Sequence, residues 1–199
     1  MSAFPASVSP SSVEWSLVSN TQSFKSPLNG SVQTLENVGA RWQAVLKFRN
    51  LSDADGRILM AFLVSLGGEA GRFDLYDHSH PNPAGVATGA PLVNGASQTG
   101  GTLITDGWTP SQTGILKAGD YIGVNGELKM MAADADSDAG GNATLTFGPL
   151  LRSSPADNAV ITTVQPTASF RLENDKQARS LITPPLIHQI NLTCVESFT

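Results

Sequence analysis

Between residues 41 and 49 apolar and polar side chains alternate. Trp42, Ala44, Leu46 and Phe48 fall on one side, and Arg41, Gln43, Lys47 and Arg49 on the other, with Val45 the single apolar exception. Period two is the signature of a half-buried strand. Residues 72–77 repeat it with Phe73 and Leu75 inward, and residues 169–173 with Phe170 and Leu172 inward. Near the C-terminus Ile190, Leu192 and Cys194 alternate with Gln189, Asn191, Thr193 and Val195. Cys194, on the inward side, reads as a small buried hydrophobe rather than a reactive thiol.

One segment changes period. Ser52 suits an N-cap, and Asp55 three residues on makes a variant of the capping box. Ile58, Leu59, Phe62, Leu63 and Leu66 form a stripe at helical spacing, and Gly67-Gly68 supplies the left-handed residue that ends a helix. Such a helix must lay its stripe on a sheet.

Beyond His78 the chain turns often. Short strands are predicted at 102–104, 121–124, 127–132, 143–147 and 159–164. Asn125-Gly126 marks a tight hairpin, because both residues tolerate positive φ, and residues 137–142 make a second turn. This spacing predicts a small antiparallel barrel or sandwich. At the other end residues 1–35 are polar and punctuated by Pro5, Pro10 and Pro27. They read as an arm, either folded on its own chain or exchanged with a neighbour.

Charge sharpens the division. Residues 82–165 hold Lys117, Lys129 and Arg152 against Asp106, Asp120, Glu127, Asp134, Asp136, Asp138 and Asp157, a balance of −4 out of −5 for the whole chain. The reading is mainly β. Residues 1–81 and 166–199 form one β domain with a single helix, and residues 82–165 form an inserted acidic β-module. An insertion leaves and re-enters at adjacent points, so residues 72–77 are expected to pair with residues 169–173.

Composition then excludes classes. An acidic chain with only 15% charged residues lacks the clustered Lys and Arg that phosphate contacts need. One cysteine excludes a disulfide framework. No run of 18 apolar residues offers a membrane span. The start, Met-Ser-Ala-Phe-Pro, has neither the basic flank nor the apolar core of a signal peptide. Synthesis and assembly in a cytoplasm are therefore expected, and the sequons at Asn29, Asn50, Asn142 and Asn191 are read as chance matches.

Candidate chemistry is thin. Asp134-x-Asp136-x-Asp138 opens like a calcium loop but has Ala139 and Leu145 where such a loop needs Gly and a bidentate Glu. Asp77-His78-Ser79-His80 offers two imidazoles, but the Pro81-Asn82-Pro83 that follows indicates a surface loop. The glycines of Gly95-Ala96-Ser97-Gln98-Thr99-Gly100 are one residue too far apart for a nucleophile elbow. Trp42 is read as core, Trp15 as a candidate stacking surface, and Trp108 as a candidate exposed turn aromatic. No catalytic, cofactor-binding or metal residue is assigned, and a structural or interaction role is favoured over an enzyme.

A series of phrases resembles a phage protein. Arg41-Trp42-Gln43-Ala44-Val45-Leu46-Lys47-Phe48 precedes a helix with Leu59-Met60-Ala61-Phe62-Leu63. Gly71-Arg72-Phe73-Asp74-Leu75-Tyr76-Asp77 opens onto a Pro/Gly loop. Leu116-Lys117-Ala118-Gly119-Asp120-Tyr121-Ile122, Ser137-Asp138-Ala139-Gly140 and Gly148-Pro149-Leu150-Leu151-Arg152 follow. In this order they resemble the small distal tail proteins of siphophages and prophages, across residues 3–198. The resemblance implies a hub domain built as a β-sandwich or split barrel with one helix, carrying an inserted β-module. It implies a ring, usually a hexamer, in the virion tail tip. That ring joins the tail tube protein to the baseplate hub or central fibre protein, with the tape measure protein as a further contact. It carries no catalytic residues. Two other readings stay open: another tail component, such as a tube or terminator protein, and a module that binds host glycans.

Overall fold

The computed structural model describes residues 2–198. The first elements are β1 (Ser2–Ala3), β2 (Ser12–Val18), β3 (Thr21–Lys25), β4 (Val32–Glu36) and β5 (Arg41–Leu51). Helix α1 (Asp53–Leu66), a 3-10 turn (Gly68–Ala70) and β6 (Phe73–Leu75) follow. Then come β7 (Gly89–Val93), β8 (Gly100–Trp108), β9 (Tyr121–Val124), β10 (Glu127–Met131) and β11 (Ala143–Leu151). The chain closes with β12 (Ala168–Leu172), β13 (Leu181–Thr183) and β14 (Ile187–Glu196). The fold is mainly β with a single α-helix. Among the described residues no helix is long and apolar enough to cross a membrane.

Seven strands form one sheet, in the order β1-β6-β12-β14-β5-β2 with β13 added on β14. Its centre is the β5 pattern seen in the sequence. Trp42, Ala44, Leu46 and Phe48 are all buried, and they meet Cys194, Leu192 and Ile190 of β14 in register. Strands β6 and β12 pair as expected, with Phe73 opposite Phe170. Helix α1 covers this core with Leu59, Leu63 and Leu66, each side chain contributing roughly 1.5–3 kcal/mol by leaving water. Ile58 does not share in this; it is 45% exposed. The inward position belongs instead to Gly56, where a Cβ would stand 2.3 Å from the His188 ring.

Both helix ends are capped by sequence. The Ser52 hydroxyl accepts from the Asp55 N–H at 3.1 Å and donates to the Asp55 carboxylate at 2.7 Å. The acid thus grips the hydroxyl rather than the backbone N–H of a full capping box. Gly67, at φ 66°, provides the left-handed stop.

Strands β7 to β11 form a second sheet, ordered β7-β8-β11-β10-β9, around Leu103, Ile122, Leu145 and other buried residues. Asn125 and Gly126, both at positive φ, make the tight β9–β10 turn. Residues 159–164 are not the expected strand. Val160 bridges Leu92 on one edge of the sheet and Thr162 bridges Gly123 on the other. A segment that divides its hydrogen bonds between two edges cannot run a ladder with either, and here it closes the gap between them.

Residues 1–35 are not one polar arm. Met1 lies outside the described residues. Ser2–Ala3 pair in parallel with β6. Residues 12–18 form an edge strand whose Val13, Trp15 and Leu17 stand opposite Leu46, Ala44 and Trp42. Only the β3–β4 hairpin projects. It follows directly on the β2–β5 ribbon and is aligned with it by the Asn37 N–H to the Asn20 carbonyl at 2.8 Å.

Candidate functional site

The two sheets meet at a buried polar junction. Glu127 and Lys129 come from β10, Arg152 from the end of β11 and Glu196 from β14. Lys129, fully buried, donates to Glu127 at 2.6 Å and to the Leu150 carbonyl at 2.9 Å. Glu127 also accepts from the Arg152 and Ser153 N–H groups, both at 3.1 Å. Glu196 accepts from Arg152 Nη2 at 2.8 Å and from the Trp42 N–H at 3.0 Å. The Trp42 indole donates to the Leu128 carbonyl at 2.9 Å. Arg152 lies over the Phe198 ring, 4.0 Å from its centroid. Two acids and two bases are thus taken out of water together, each with its partner, which is the condition under which burying charge is tolerable.

The residues weighed in the sequence fall elsewhere. Asp134 holds Lys117 and the Ala118 N–H, Asp136 the Gly114 N–H, and Asp138 its own turn through Gly140 and Asn142. The three carboxylates therefore serve separate loops. The 77–80 segment is not wholly a surface loop. Asp77 is buried, where it accepts from the Ser79 N–H and faces His80. Burial, with the Asp77 carboxylate beside it, holds the Tyr121 phenol above its ordinary range. Burial likewise holds the His78 imidazole below its ordinary value, stacked 4.3 Å from Tyr76. Trp108 is not an exposed turn aromatic. It is buried, and its indole donates to Thr105 at 2.8 Å, because its strand turns that side inward. Trp15 is half-buried against Trp42, Tyr121 and Phe170. Burial pushes the Cys194 thiol up to about 12, the state of an inert core cysteine. Gln98 fills the 95–100 loop by bonding the Gly95 carbonyl and the Ile104 N–H.

One constellation escaped the sequence reading. His188 Nε2 lies 3.2 Å from Asp53 and its Nδ1 lies 2.9 Å from the Ser180 hydroxyl. The three residues are 135 and 8 positions apart, so no local motif marks them. The visible signal was Gly56, an otherwise costly glycine inside a helix. Ser180 shares the His188 face of the β13–β14 ladder, whereas the groove beside it is lined by Leu181 and Gln189 on the opposite face. The trio therefore reads as a clamp holding the start of α1 against β14, not as a nucleophile facing a cleft.

Apolar residues in the open mark two further places. All ten residues of β3 and β4 are exposed, including Phe24 at 65% and Leu35 at 60%, and Leu28 in the connecting turn is 96% exposed. A lone two-stranded hairpin is marginal in water. At the β13–β14 turn Leu181, Ile182 and Leu186 are each more than half exposed. Leu186 sits at φ 80°, a costly conformation for a side chain of its size. By contrast Trp108, Tyr121 and Phe147, the three aromatics of residues 82–165, are all buried.

No protein-family model and no curated protein matches the chain.

Proposed function

We propose that this chain is a structural, non-enzymatic part of a siphophage-type tail tip. It is a subunit of a ring of six that joins the tail tube to the baseplate hub or central fibre. The observation that carries this reading is the β3–β4 hairpin. It displays Phe24, Leu28 and Leu35 to solvent and buries nothing of its own. A soluble chain keeps such a surface when a partner covers it. The order of sequence phrases resembling distal tail proteins supplies the identity of the assembly. Residues 82–165 are read as a discrete module whose −4 charge suits a lumen through which DNA must slide without sticking.

The test has two parts. Light scattering on the purified chain should give the mass of a closed ring, and negative-stain images should show it. A label on the chain should sit at the distal end of the tail in virions. Label along the tube or at its head-proximal end would replace this reading with a tube or terminator protein. The buried aromatics of residues 82–165 leave little for a sugar to stack on, which favours the tail-tip reading over a glycan-binding module.

A further inference from the structure

Strands β12 and β13 lie end to end along one edge of β14, with a gap between them. Pairing with β12 ends at Cys194 and pairing with β13 begins at Gln189, so neither strand meets residues 190–193. The 173–180 segment crosses the gap and holds Thr193. The Glu173 N–H donates to the Thr193 carbonyl at 2.9 Å, and the Thr193 N–H donates to Gln177 Oε1 at 2.6 Å. Backbone groups alternate between the two edges of a strand. Asn191 therefore turns its N–H and carbonyl to this same edge, where no strand pairs with them.

A groove of about 370 Å³ opens here, lined by Lys176, Gln177, Arg179, Leu181, Gln189 and Asn191. Its polar side chains are rich in donors. Gln177 is only 9% exposed, and its Nε2 has no hydrogen-bond partner among the described residues. The bond from Thr193 fixes Oε1 as the acceptor, so the unpaired atom is the amide NH2. A buried donor without an acceptor is costly and rare. Lys176 and Arg179 take part in no ion pair among the described residues. Lys47 stands opposite Asn191 on the same side of the sheet. Among the described residues no carboxylate lines the groove. The acids nearest in sequence are engaged elsewhere, Glu173 by the Gln43 amide at 3.1 Å and Asp175 by the Glu69 N–H at 2.9 Å.

We propose that this groove binds a phosphate group, free or as a small monoester. Charge decides the class. A phosphate monoester carries about −1.5 to −2 at neutral pH, which Lys176 and Arg179 match, whereas a carboxylate would leave one cation over. Its terminal oxygens accept from the two cations and from the Gln177 amide, and Leu181, 55% exposed, meets an alkyl substituent. Gln177 Nε2 lies beneath the surface, but the residues on either side, 173–176 and 178–179, are all exposed. That segment and its long side chains settle onto the anion as it enters. The site stands whether or not the chain forms a ring.

Titration calorimetry on the full-length chain tests it, with inorganic phosphate and propyl phosphate at constant ionic strength and acetate as the control. Both phosphates should saturate one site per chain, and acetate should not. Gln177→Glu keeps an oxygen for the Thr193 N–H and replaces the free amide nitrogen with a second carboxylate oxygen. It should weaken phosphate binding about tenfold or more with the urea midpoint held. Lys176→Ala/Arg179→Ala, confined to exposed residues, should weaken it as much with the circular dichroism of the parent. Tighter binding of propyl phosphate would assign the ligand to a monoester, and tighter binding of inorganic phosphate to the free anion; either supports the site. No saturation by either phosphate up to about 10 mM, equal binding of acetate, or phosphate binding unmoved by Lys176→Ala/Arg179→Ala would each overturn it.

Discussion

The junction between the sheets and the β3–β4 hairpin treat side chains in opposite ways. At the junction, charged groups are buried, and each acid and base has its partner inside the chain: Glu127 with Lys129, Glu196 with Arg152. In the hairpin, apolar groups are exposed along with every other residue of both strands. A chain with 15% charged residues buries Glu127, Lys129 and Glu196 beside a mostly covered Arg152 and leaves Phe24, Leu28 and Leu35 exposed. Under the function proposed above, the difference separates contacts completed on folding from contacts completed on assembly. Disturbing the first should change stability, and disturbing the second should change association alone.

The largest effect is expected at the junction. Glu196→Ala strands the Arg152 guanidinium and the Trp42 N–H, and breaking one side of a buried pair costs roughly 3–5 kcal/mol. Urea unfolding would read it; a loss below about 1 kcal/mol would place these charges in solvent. Gly56→Ala comes next. Its methyl would press on the His188 ring, and overpacking of this kind costs about 1–3 kcal/mol. Removing the ring as well, with His188→Ala in the same chain, should return part of that loss.

Acid probes the junction more gently. Burial acts to raise the Glu127 pKa, but the Lys129 ammonium and the Arg152 N–H outweigh it and hold the carboxyl below its ordinary 4.5. A depressed carboxyl contributes stability above the unfolded-chain value and loses it as pH falls through the folded one. The urea midpoint should therefore decline below pH 4.5, and Glu127→Gln should flatten that decline. A variant that keeps the full acid slope would assign the sensitivity to other groups. The smallest effect on stability belongs to the hairpin. Phe24→Ser/Leu35→Ser should move the monomer by less than about 0.5 kcal/mol, as surface changes do. A larger loss would show the hairpin packed on its own chain.

Legibility in the sequence followed burial on one side. Strands β5, β6, β12 and β14 each bury one face, so period two was visible, and the β6–β12 pairing followed from the logic of an insertion. Strand β2 carried the same alternation in Val13, Trp15 and Leu17, hidden among serines and prolines. Strands β3 and β4 bury neither face, and a strand without a buried face has no pattern to read. Trp108 was misplaced because the adjoining Gly107 suggested a turn, while the strand runs on through both residues. The junction was illegible for another reason. Glu127 and Lys129, two residues apart, look like a surface pair until the second sheet closes over them, and Glu196 meets Arg152 only when residues 44 positions apart are folded together.

Placing the two apolar features, the β3–β4 hairpin and the β13–β14 turn, at opposite ends of β5 also decides how the chain bears load. A pull applied at the hairpin and at the β13–β14 turn is directed along the strands. Antiparallel hydrogen bonds lie across that direction. The pairs from Leu51/His188 to Gln43/Val195 are then loaded together in shear and do not open one after another from an end. The sheet at the centre of the molecule is therefore a tie, strongest along the line that joins its two exposed apolar ends.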